Sequence, residues 1–137
     1  MKHPQHKQLF DQDIINLITK WRHQKYEIKL IIDANTHILD HKLQQIIRSG
    51  QLYDLLAARH GTNSPNTYIR GKHTIDFIFG TENVYHSVQY AGILPFNTGI
   101  ISDHRALWLD LHIPVLFKGN LYDIYTRPPQ MTIKNVN

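Results

Sequence analysis

The chain has 137 residues, no cysteine, and four more lysines and arginines than acidic residues. That length suits one domain burying roughly two thirds of its unfolded surface, and the missing thiols exclude disulfides and thiolate zinc sites. No apolar run approaches the ~20 residues needed to span a bilayer, no apolar leader follows Met1, and a pI near 9.4 leans toward polyanionic partners.

Phe10, Ile14, Leu17, Ile18 and Trp21 recur at helical spacing, which predicts an amphipathic helix over residues 5–24. Its other face, with Lys7, Asp11, Gln12, Lys20 and Arg22, reads as solvated. Ile28, Leu30, Ile31 and Ile32 then form a short apolar run, expected as a strand covered on both faces. It ends at Asp33-Ala34-Asn35-Thr36, which is either a turn or the lip of a site.

A second helix is expected from Asp40 as N-cap to Gly50, burying Leu43, Ile46 and Ile47. Leu52, Leu55 and Leu56 continue the apolar layer through a turn of helix, and residues 59–66 read as loop. His37 and His41 stand four apart, as helical zinc ligands do, but Asp40 between them reads as a cap and the pair as solvated.

Residues 67–70 and 74–79 are expected to form a hairpin around Gly71-Lys72. Within the second strand Asp76 falls on the face opposite Ile75, Phe77 and Phe79, a poor place for an unpaired charge. Residues 82–85 read as a connector, 88–94 as a strand with a bulge at Gly92, and 95–101 as a loop. Ser102-Asp103-His104-Arg105 then leads into a strand whose Leu107, Leu109 and Leu111 face one way and Ala106, Trp108 and Asp110 the other. From about residue 113 the prolines and polar residues suggest a weakly ordered tail. The order of elements predicts an α/β fold: a mixed, largely antiparallel sheet with helices on one face.

Three motifs follow one another at strand edges: Asp33-x-Asn35; Thr67-Tyr68 with Ile75-Asp76-Phe77-Ile78; and Ser102-Asp103-His104-Arg105. Together they resemble the C-terminal half of the endonuclease/exonuclease/phosphatase family. These are metal-dependent phosphoesterases that include deoxyribonuclease-I-like enzymes and the nucleases of non-LTR retrotransposons. The likeness covers residues 5–112 and implies half of a four-layered α/β sandwich. It implies that Asp33 orients or deprotonates the attacking water and that Asn35 donates to the scissile phosphate. It further implies that Asp103 faces the metal, that His104 clamps the phosphate, and that Asp76 pairs with His104. Tyr68 is left open between stacking on a base and packing in the core.

If the strands bearing Asp33 and Asp103 run antiparallel, their carboxylates meet at one sheet edge. Crowded carboxylates call for a divalent cation, and oxygen ligands without thiolate favour Mg2+ or Mn2+. Two departures stand out. Ile32 occupies a position where the family usually has glycine, and no stretch before Asp33 matches the family's N-terminal half with its metal-binding glutamate, Glu27 being the only acidic residue between the first helix and Asp33.

The reading is therefore an incomplete domain over 1–112, a linker over 113–137, and weak or absent hydrolysis of nucleic acid, with DNA the expected substrate. Other partners expected are the missing half or a larger polyprotein, in an intracellular setting, nuclear or cytoplasmic, without a membrane. An inositol or lipid phosphomonoesterase of the same superfamily, and an inactive remnant that only binds, remain open alternatives.

Overall fold

The computed structural model describes residues 4–118 of the chain. The expectations for residues 119–137 lie outside the described residues. Helix α1 runs Pro4–His23, strand β1 Lys29–Asp33, helix α2 His41–Gly50, strand β2 Tyr53–Asp54 and the short helix α3 Ala57–His60. A 3-10 turn at Gly61–Asn63 precedes β3 at Asp76–Gly80, followed by α4 Glu82–Ser87, β4 Val88–Ile93, β5 Leu107–Leu111 and α5 Ile113–Leu116. Helices and antiparallel sheets make this a mixed α/β fold, and among the described residues no helix is long and apolar enough to cross a membrane.

β3 is the central strand of a three-stranded sheet in the order β1-β3-β2, with both pairings antiparallel. β4 and β5 form a separate antiparallel ribbon. Phe77 and Phe79 project from one face of β3 into a core with Ile18 of α1 and Leu43 and Ile46 of α2. Ile78 projects from the other face, where Leu55, Leu56 and Val84 meet Ala91, Ile93, Leu107, Leu109 and Leu111 of the ribbon. The period-2 alternation of β3 thus feeds two cores at once. Helices α1 and α2 lie on one face, but α4 and the ribbon cover the other beside β3, so the helices are not confined to one face as the sequence suggested.

Cover on that second face stops short of β1. Ile31 is 64% exposed, so the strand expected to be buried on both faces is buried on one. Along α1 the buried stripe is Ile14, Ile15 and Ile18, while Phe10, Leu17 and Trp21 of the expected stripe are exposed. Asp11, expected to be solvated, faces Lys42 of α2 across a 3.7 Å ion pair.

Asp40 caps α2 as expected, accepting from the amides of Lys42 and Leu43 at 3.0 and 3.1 Å. The end of α2 differs. Gln51, not Gly50, takes the left-handed conformation, with φ 49°. Gly50 is helical, and a Cβ there would come within 2.7 Å of both Ile18 and Leu52, so its bareness lets α2 approach α1.

Further differences follow from tertiary pairing. Residues 67–70 form no hairpin with β3; β3 is taken on both edges by β1 and β2, and Tyr68 makes an isolated antiparallel bridge to His104. Tyr53–Asp54 is extended rather than helical because it pairs with β3. Residues 82–87 fold as α4, and Ile113–Leu116 as α5, whose Leu116 packs on the second core. The ribbon's register shift lies between Val88 and Tyr90, not at Gly92. Gly92 sits opposite Trp108, whose indole Nε1 occupies the space a side chain would need.

Candidate functional site

Asp33 ends β1 and Asp76 begins β3, and antiparallel pairing sets them directly opposite each other. Both fall on the Ile31 and Ile78 face, which the ribbon leaves open at this end. Thr67 fixes the approach to β3: its fully buried hydroxyl accepts from the amides of Ile75 and Asp76 at 2.9 and 3.1 Å. Its carbonyl accepts from the Arg105 amide at 2.8 Å, and the Ile69 amide donates to the Asp103 carbonyl at 2.8 Å. The 67–69 segment thereby ties the end of the 102–105 loop to β3 and carries His104 to the two carboxylates. β1 and β5 do not pair, so the condition under which the Asp33 and Asp103 carboxylates would meet at one sheet edge is not met; Tyr68 and Asp76 stand between them.

His104 Nδ1 lies 2.9 Å from Asp76 Oδ2, and its Nε2 lies 4.0 Å from Asp33 Oδ2. The ring is tilted against Tyr68, with centroids 5.2 Å apart. Ser102 accepts from the His104 amide at 3.0 Å and shapes the turn that presents the imidazole. The hydrogen bond to Asp76 is the largest cause holding the His104 pKa above the ordinary histidine range. Partial burial opposes it, and the charges of Asp76, Asp33 and Asp103 reinforce it.

Asn35 is exposed in a left-handed conformation, φ 50°, and its amide donates to Asp33 Oδ1 at 3.0 Å. This Asx turn fixes one oxygen of Asp33 and leaves the other facing His104. Tyr68 is half-buried against His104 rather than in either core. Beside the imidazole lies a cavity of about 170 Å³, lined in part by Asn97, Thr98, Ser102 and Arg105.

Asp33, Asp76 and His104 each offer a ligand atom within 4.8 Å of the others. Asp103 stands outside that compact group, exposed, yet near enough for its charge to act on His104. A carboxylate-rich rim open to water fits a hard divalent cation that retains part of its hydration shell. Glu27 is committed elsewhere: it accepts from the side chains of Thr81 and Asn83, beyond the opposite end of β1.

Sequence reasoning placed Asp33, Asp76 and His104 in one site, and the fold brings them together. It missed the positioning roles of Thr67 and Ser102. Both stood next to singled-out residues, but a hydroxyl's value here depends on which amides the fold points at it. Arg105 is no free cation for substrate: its Nε donates to the Asn66 carbonyl at 2.8 Å and its guanidinium lies over Phe96. No protein-family model and no curated protein matches the chain.

Proposed function

We propose that this site hydrolyses phosphodiesters of nucleic acid, weakly, with help from a divalent cation. The supporting observation is the single imidazole held between two carboxylates, Asp76 at 2.9 Å and Asp33 at 4.0 Å, on an open sheet edge. A phosphoryl group entering there meets a protonated His104, whose Nε2 donates to a non-bridging oxygen. The Asn35 side chain, exposed at the same lip, supplies a second donor.

Asp33 takes the proton of the attacking water as the water oxygen bonds to phosphorus. The bond to the departing sugar oxygen breaks, and that oxygen takes a proton from solvent. Asp76 keeps His104 oriented and charged, and Tyr68 flanks the imidazole where a base or sugar would lie. Mg2+ or Mn2+ would be held by carboxylate oxygens of Asp33 and Asp76, with the charge of Asp103 beside them, and when bound would neutralise charge developing on the phosphate. Because Asp33 and Asp103 are exposed, such an ion would be loosely held, and misplacement by about an ångström costs on the order of a hundredfold in rate.

Comparing bis(p-nitrophenyl) phosphate with p-nitrophenyl phosphate tests the reading. The diester should be hydrolysed faster, only with added Mg2+ or Mn2+, and His104→Ala should abolish the difference. Preferential hydrolysis of the monoester would instead favour a phosphomonoesterase.

A further inference from the structure

β1 is the outer strand of its sheet. The Ala34 amide donates to the Ile75 carbonyl and the Thr81 amide to the Ile28 carbonyl, so the even-numbered residues of this stretch turn their main-chain groups toward β3. Lys29, Ile31 and Asp33 therefore turn theirs outward. Among the described residues, no other segment makes a main-chain hydrogen bond to them. Their side chains share one exposed face, with Ile31 in the middle.

We propose that this edge pairs with the same edge of a second copy of the chain, antiparallel about a twofold axis at Ile31. Read in either direction, Lys29-x-Ile31-x-Asp33 is complementary to itself. Ile31 meets Ile31, and each Lys29 meets an Asp33 on the same face of the joined sheet. The outward-turned residues are the ones brought opposite, so each pair exchanges both main-chain hydrogen bonds.

Competing arrangements lose these matches. Sliding the pairing by two residues sets Ile31 against Lys29 and separates the charges, while parallel pairing sets lysine against lysine. An unpaired edge with an exposed β-branched residue at its centre is the kind of surface that associates unless charges forbid it. Here the charges favour the match. The resulting contact is isologous, as in most homodimers. It is argued from the β1 main chain and the charges of Lys29 and Asp33 without metal or substrate, and because Asp33 is also the proposed base, association is read by sedimentation and exchange and not by hydrolysis.

Sedimentation velocity of the full chain over rising concentration, joined to hydrogen exchange at Lys29, Ile31 and Asp33, tests it. A dimer is expected, with protection of those amides that grows with concentration. Lys29→Glu sets like charges opposite each other on both sides of the axis and should weaken association roughly tenfold. Adding Asp33→Lys to that variant should restore the dimer, because the opposite charges return in exchanged positions. The Lys29 side chain is exposed, so circular dichroism of Lys29→Glu should match the parent. A chain that stays monomeric, or a dimer unmoved by Lys29→Glu, would overturn the proposal. So would amide protection independent of concentration, which would mean that a segment of the same chain covers the edge.

Discussion

Asp76 and His104, 28 residues apart in sequence, are joined by a 2.9 Å hydrogen bond from imidazole Nδ1 to carboxylate Oδ2. The bond orients the ring and raises its pKa, leaving Nε2 turned toward Asp33. A measurable pH signature follows. A histidine whose folded pKa exceeds its unfolded value of about 6.5 stabilises the fold fully below that value. The contribution is lost as pH rises through the raised folded value. Imidazole NMR should show His104 titrating above the ordinary histidine value, and Asp76→Asn should return it toward about 6.5. The melting-temperature gap between parent and Asp76→Asn should narrow from pH 5.5 to pH 9.

Thr67 supplies an acceptor to two amides in a fully buried position. Thr67→Val keeps the shape and strands both donors, at a cost of about 1–3 kcal/mol. Thr67→Ser keeps the acceptor and should cost less. Urea denaturation measures both, and only the valine variant should shift the His104 imidazole resonances, because only it releases the Asp76 amide.

Gly92 lies under the Trp108 indole. Gly92→Ala must displace that ring or bend the ribbon, at roughly 1–3 kcal/mol. Trp108 is 42% exposed, so the ring moves outward and its fluorescence should shift to the red. An unchanged spectrum and midpoint would mean that the ribbon yields freely at this point.

How much was legible in sequence depended on how local the cause was. The α1 helix, the Asp40 cap and the alternation of Leu107, Leu109 and Leu111 all act within a few residues, and the fold has each of them, although Phe10, Leu17 and Trp21 of the expected α1 stripe are exposed. Tyr53–Asp54 and residues 67–70 took conformations set by partners distant in sequence, β3 and His104, which local propensity does not encode. Gly50 read as a helix stop, yet its bareness serves the approach of Ile18 from α1. In the site, Asp33, Asp76 and His104 were legible as charges at strand ends. Thr67 and Ser102 were not, because a neutral hydroxyl matters only once amides are aimed at it.

Glu27 offers an internal control. Its carboxylate is satisfied by Thr81 and Asn83 away from Asp33. Glu27→Gln should lower stability by about 1–2 kcal/mol through that network and leave Mn2+ affinity unchanged in titration calorimetry. Loss of Mn2+ binding on this substitution would show that the ion does not sit at the Asp33 edge.

Nicking of supercoiled plasmid by the purified chain in Mg2+ bears most directly on the proposed chemistry. Slow conversion to open circles is predicted, stopped by a chelator, abolished by Asp33→Asn and by His104→Ala, and unaffected by His41→Ala. Nicking that persists in Asp33→Asn and His104→Ala, or no conversion at any Mg2+ or Mn2+ concentration, would contradict a phosphodiesterase site at this sheet edge.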